Sequence, residues 1–135
     1  MSAGHSGTPL VRKLGIKQGM KVALLSPPEG YPQTLGRLPE GVRLLSRLGR
    51  EVDLVQLFAH DLPALRRRLP AAVRALDRDG ALWICWTKKS SLMHAGFGDA
   101  DVRAMGLEAG LVDVKVCAVD EDWSGLKFVY RLEDR

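Results

Sequence analysis

The chain has 135 residues, 46% of them hydrophobic and 27% charged, with a formal net charge of +4. That composition describes one globular domain, large enough to bury a core without disulfides or a structural metal. No apolar run approaches the roughly 18 residues of a bilayer-spanning helix, and Met1 to Gly7 lacks the basic and apolar regions of a secretory signal. The expectation is therefore a cytoplasmic protein with no membrane partner.

Residues 1–8 are small and polar and read as a flexible tail, and residues 9–135 read as a single domain. Thr8 before Pro9 is an N-cap and first-turn pairing, which predicts a short helix over Pro9 to Leu14 ended by Gly15. Met20 to Ser26 has the Val, Ala and Leu content of a buried first strand and stops at Pro27-Pro28, which can donate nothing to a ladder. Glu29 to Leu35 holds one helical turn. Val42 to Leu45 is a short second strand and Val52 to Phe58 a third.

Asp61 is placed to cap a helix in which Leu62, Leu65, Leu69, Val73 and Leu76 recur at helical spacing, with Pro70 expected to kink or split it. The Asp79-Gly80 turn launches a fourth strand, Ala81 to Trp86, apolar at every position. Asp99 or Asp101 can cap a helix through about Glu108, ended by Gly110. Leu111 to Val119 is a fifth strand. Asp120 to Gly125 is short enough for a hairpin loop, with Leu126 to Arg131 returning antiparallel.

Strands that alternate with helices imply parallel pairing, with only the last strand reversed. In such a sheet the turns after the first, third, fourth and fifth strands share one edge, where ligands bind. The candidate site residues all come from this argument or from the hairpin beside it: Glu29 and Tyr31, Lys88, Lys89, Ser90 and Ser91, and Asp120, Glu121, Trp123, Ser124 and Lys127. Lysines and hydroxyls in the Lys88 to Ser91 turn suit an anionic group. The acids of the hairpin suit general acid–base work or a hard cation, although consecutive acids point in different directions. Trp83 and Trp86 fall on opposite faces of a strand, so at most one can line a given pocket.

Several classes are disfavoured. Cys85 and Cys117 lie in apolar runs with no metal-ligand spacing and read as reduced core thiols. His5, His60 and His94 form no zinc signature, so no metal site is expected. The Gly-x-Gly-x-x-Gly and P-loop spacings are absent, and Pro27-Pro28 offers no backbone N–H for a phosphate, so no standard cofactor is expected. Arg66, Arg67, Arg68, Arg74 and Arg78 read as the solvated flank of an amphipathic helix, and no aromatic residues interleave them as single-stranded nucleic acid would require.

Ser6-Gly7-Thr8-Pro9-Leu10, Lys13 to Lys17, Pro28-Glu29-Gly30-Tyr31, the Trp-x-x-Trp-x-Lys-Lys-Ser-Ser run from Trp83, and Leu111 to Glu121 with Trp123 to Lys127 together span nearly the whole chain. On these stretches it resembles a family of small bacterial proteins classified only as a domain of unknown function, with Thr87 where that family often shows proline. The resemblance implies no activity. More distantly, the order of strands and helices with a terminal antiparallel hairpin is similar to a shortened S-adenosylmethionine-dependent methyltransferase fold. Such enzymes keep a Gly-rich turn after the first strand and an acid after the second for the ribose. Here those places hold Ser26-Pro27-Pro28-Glu29 and Ser46-Arg47.

The expected fold is thus α/β, a single Rossmann-like, methyltransferase-like three-layer domain whose mostly parallel sheet ends in an antiparallel hairpin. The expected function is a non-catalytic or degenerate domain that binds a small anionic ligand or a protein partner at the carboxyl edge of the sheet. The alternatives are a reduced methyltransferase and, using the arginines above, a nucleic-acid accessory protein.

Overall fold

The computed structural model describes residues 8–135, so all but the last residue of the expected tail lies outside the described residues. In chain order the elements are α1 (Leu10–Leu14), β1 (Lys21–Leu25), α2 (Tyr31–Leu35), β2 (Arg43–Leu45), β3 (Val52–Phe58), α3 (Leu62–Ala75), β4 (Leu76–Thr87), α4 (Asp99–Glu108), β5 (Leu111–Ala118) and β6 (Trp123–Tyr130), followed by a short 3-10 turn at Leu132–Asp134. The six strands are ordered β2-β1-β3-β4-β6-β5. The first four pair in parallel, and β6 runs antiparallel between β4 and β5. β1, β3, β4 and β5 therefore all end at the same edge.

The helices make two further layers. Leu65, Leu69, Ala72 and Ala75 of α3 and Val102 of α4 pack on one face of the sheet, against Ala23, Leu25, Val55, Leu57, Ile84, Trp86, Leu126 and Phe128. Val11 and Leu14 of α1 and Tyr31 and Leu35 of α2 cover the other, against Val22, Leu24, Leu54, Phe58, Trp83, Cys85 and Trp123. β3 and the second half of β4 are covered on both sides, which is why β3 is mostly apolar and Ala81 to Trp86 is apolar at every position rather than alternating. Trp83 and Trp86 lie on opposite faces, as their spacing requires.

Four local readings are corrected. α1 is capped by Pro9 without a side-chain bond, not by Thr8. Asp61 caps α3 as expected, its Oδ1 accepting the Ala64 N–H at 2.7 Å, but α3 runs unbroken through Pro70. Pro70 and Arg66 are both exposed, so the carbonyl that the proline leaves unpaired faces solvent and needs no protein donor. β4 begins at Leu76, not at Ala81. Between the pairs Val52↔Leu76 and Leu54↔Ala81, β3 advances two residues and β4 five, so Asp79-Gly80 belongs to a wide bulge inside the strand. Gly80 is required there, because a Cβ would stand 2.8 Å from the Asp53 carbonyl oxygen.

The hairpin closes earlier than its sequence suggests. Asp120 Oδ1 accepts the backbone N–H groups of Asp122 and Trp123, both at 2.8 Å, and β6 starts at Trp123 rather than Leu126. At the outer edge β5 carries its own register shift, between Asp113 and Lys115, and leaves Val114 and Val116 half exposed.

Gly106 of α4 lies on the Phe128 ring so closely that a Cβ would overlap it. Phe128 is completely buried in β6 and has no room to yield. Gly106→Ala is expected to lower stability by about 2 kcal/mol through overpacking, against the roughly 1 kcal/mol that alanine gains over glycine in a helix. Urea unfolding of the two proteins measures the difference.

Candidate functional site

The carboxyl edge of the sheet has two sides that differ in character. On the α1 and α2 side it is filled. Tyr31 is buried, its hydroxyl donating to Gln56 Oε1 at 2.8 Å, and Gln56 Nε2 lies 3.5 Å from Cys85 Sγ. Tyr31 meets Phe58 edge-on at 4.8 Å between ring centroids, Phe58 meets Trp123 at 5.1 Å, and His60 closes the row against Trp123, also at 5.1 Å. Burial raises the Cys85 thiol and the Tyr31 phenol far above their ordinary ranges, so both are neutral packing groups at physiological pH. Tyr31 and Trp123 present no surface to a ligand as they stand. Trp123 Nε1 is nevertheless buried without a hydrogen-bond partner among the described residues.

The turns after β4 and β5 are bound to each other. Lys88 Nζ donates to the Asp120 carbonyl at 2.6 Å, Lys88 N–H to the Asp122 carbonyl at 2.8 Å, and Ser91 Oγ to Asp122 Oδ1 at 2.8 Å. Lys88, Ser91 and Asp120 are thus brought together, but their side chains bond within the turns: Lys88 to the Asp120 carbonyl, Ser91 to Asp122, and Asp120 to the backbone of Asp122 and Trp123. Lys89, Ser90, Glu121 and Glu29 are exposed around them. Ser124 pairs with Trp86 and Ala118 inside the sheet. Lys127 does not belong to this edge. It sits four residues along β6 from Trp123, about 13 Å at the rise of a strand, on the face carrying α1.

On the α3 side the edge is open. A cleft of about 300 Å³ is lined by Leu25, Ser46, Arg47, Leu48, Arg67, Arg68 and Ala71. It lies where β1 and β2 end, against the middle of α3. Ser26 forms its adjoining corner in the left-handed region, with φ of 54°. The Arg68 guanidinium donates to Ser26 Oγ, and His60 Nε2 donates to the Ser26 carbonyl at 2.8 Å. Three guanidinium groups and no carboxylate line this cleft.

In the sequence Arg67 and Arg68 enter only with the nucleic-acid alternative, and nothing there joins them to Ser46 and Arg47. Arg67 and Arg68 are hard to distinguish from any charged flank of an amphipathic helix. Ser46-Arg47 is a usable signal, being basic at the end of a second strand where an acid would serve a ribose. The remaining arginines do not form one surface: Arg66 lines a separate groove with Met105 and Glu108, and Arg78 lies over the Tyr130 ring and donates to the Asp134 carbonyl. Among the described residues no group of three or more His, Cys, Asp or Glu side chains could hold a metal ion, and no helix is long and apolar enough to cross a membrane.

No family model and no curated protein matches the chain. Solved structures do match it. A putative type 11 methyltransferase from Sulfolobus solfataricus aligns with a TM-score of 0.60 at 17% identity, covering 96% of this chain and 94% of that one. A SAM-dependent methyltransferase from Aquifex aeolicus gives 0.56 at 16% identity, covering 88% and 86%. Magnesium protoporphyrin IX methyltransferase from Synechocystis, with bound SAH, gives 0.57 at 12% identity, covering 90% and 78%. The likeness at these identities is one of fold: the chain has an α/β methyltransferase-like, Rossmann-type architecture built on a six-stranded mixed sheet.

The hydrogen bonds of Asp120 distinguish it from its neighbour. Asp120→Ala is expected to destabilise the protein by about 1–2 kcal/mol, the usual loss when a carboxylate that satisfies backbone N–H groups is removed. Glu121→Ala should stay within about 0.5 kcal/mol of the parent. Equal effects in thermal unfolding would show that the turn is not held by Asp120.

Proposed function

We propose that this chain is a binding domain on a methyltransferase-like frame, and that it takes a small phosphate-bearing anion in the cleft formed by Arg47, Arg67 and Arg68. The observation that carries the reading is the charge of that cleft. Three guanidinium groups without a carboxylate favour an anion, and guanidinium forks match phosphate oxygens in pairs. Ser46 adds a hydroxyl donor at the wall. The cleft lies at the carboxyl ends of β1 and β2, the place in open α/β sheets where ligands bind. Lys89, exposed at the same edge, adds long-range attraction rather than a contact.

A reduced methyltransferase is the second reading. Two observations favour it: the fold likeness, and the unpartnered indole N–H of Trp123 beside His60. Against it stand Pro27-Pro28, which supply no N–H groups where the first-strand turn meets a cofactor, and Arg47 in place of an acid. Likeness of fold by itself does not carry an activity across.

Titration with inorganic pyrophosphate, followed by amide NMR, separates the readings. The expected result is saturable shifts at Leu25, Ser46 to Leu48 and Arg67 to Ala71, lost in Arg47→Ala/Arg67→Ala and kept in Lys88→Ala/Lys89→Ala. At about 100 times its dissociation constant a ligand should raise Tm by about 8 °C in a domain of this size. Shifts confined to Lys88 and Lys89 would move the site to the original lysine turn. Saturable binding of S-adenosylmethionine or its demethylated product, with no response to pyrophosphate, would replace the anion reading by the methyltransferase one.

A further inference from the structure

Away from the carboxyl edge, the face of β5 and β6 beside α1 gathers lysines. Lys115 and Lys127 are direct cross-strand partners and so project to the same side. Lys127 Nζ lies 4.0 Å from where a Cβ on Gly15 would stand, which places it under the end of α1. Lys17 lies two residues after Gly15. Lys13, one turn back on α1, reaches the same strand pair and donates to the Ala118 carbonyl at 3.3 Å. Like charges placed directly opposite on neighbouring strands destabilise a sheet. Lys127 shows the strain: burial, Lys115 and Lys17 all lower its pKa. The ion pairs among the described residues are both made by Arg103, with Asp99 and Asp113, so none relieves this cluster.

The cluster opens on a groove beside α1. Gly15 and Lys17, which adjoin Lys127, also line a groove of about 850 Å³ between α1 and residues 37–40, with Val11, Ile16, Leu38 and Pro39 as apolar lining, Arg12 and Arg37 as further cations and Glu40 as its single acid. A depression of that size suits the body of a small organic ligand. Repulsion among cations and the exposure of the groove's apolar wall are both relieved by the same kind of molecule.

We propose that this face is a second ligand site, distinct from the arginine cleft, for an organic anion whose apolar or aromatic body lies in the α1 groove. Its phosphate groups bridge Lys17, Lys115 and Lys127. Lys13 is a positioning residue that ties α1 to the end of β5 and so fixes the spacing between groove and lysines.

The test uses adenosine diphosphate and inorganic pyrophosphate in the Arg47→Ala/Arg67→Ala protein, so that the arginine cleft cannot contribute. Adenosine diphosphate is expected to shift the amides of Val11, Gly15, Ile16 and Leu38 together with Lys115 and Lys127. It should bind at least tenfold more tightly than pyrophosphate, because only it fills the groove. Adding Lys115→Met or Lys127→Met should abolish these shifts and, by removing the like-charge pair, raise the Tm of the free protein by about 2 °C. The higher Tm shows that lost binding is not lost folding. No shifts at millimolar adenosine diphosphate, shifts that survive Lys127→Met, or equal affinity for the two probes would each overturn the proposal.

Discussion

The position of Trp83 governs one whole side of this molecule. Its indole is fully buried at the centre of β4, and its Nε1 donates to the Leu14 carbonyl at 2.9 Å across 69 residues of chain. That bond satisfies a carbonyl at the last turn of α1, a group a five-residue helix cannot pair within itself. A helix so short has little stability alone, so α1 exists because Trp83 and the apolar residues around it give Val11 and Leu14 somewhere to go. The ring needs space in turn: Gly125 stands opposite, and a Cβ there would lie 3.1 Å from the indole and 3.3 Å from Cys85 Sγ. The slot that β6 occupies between β4 and β5 and the placement of α1 are thus parts of one packing solution.

Around that solution the edge of the sheet has been given to structure on one side and to charge on the other. The row Tyr31, Phe58, Trp123 and His60 fills the space above β3 with rings. The α3 side keeps its opening and lines it with arginines. A frame shared with methyltransferases therefore carries an edge with different polarity, and the polarity determines which ligands it can favour. The turns after β4 and β5 are bonded to each other beside these two halves, so Lys88 and Ser91 help to hold the edge together.

The fold was largely legible because its strongest signals are periodic. Continuous apolar runs identify β1, β3 and β4, and alternation of strands with helices sets their direction. What escaped depends on contacts distant in sequence. Pro70 reads as a helix breaker because a sequence does not say which face meets water. Asp79-Gly80 reads as a turn because a bulge and a turn use the same residues. The candidate site was legible only in part: the edge follows from topology, but Lys88 and Asp120 bond within the turns, Tyr31 is inside the core, and Arg47 meets Arg67 only once β2 and α3 are placed side by side. Lys127 reads as part of the hairpin stretch that begins at Asp120, and the extended form of β6 carries it away from the edge.

The outer strand β5 has a consequence for how copies of this protein meet. Its outer border is a free border of the sheet, rich in valine, with Val114 and Val116 half exposed, features that invite ladder growth from one molecule to the next. The shift in register between Asp113 and Lys115 breaks the even spacing of its outward N–H and C=O groups, and charged side chains stand on both sides of the break. An incoming strand would meet a kink and a lysine where it needs a straight partner. The same irregularity that sets Lys115 opposite Lys127 thus works against strand addition along this border.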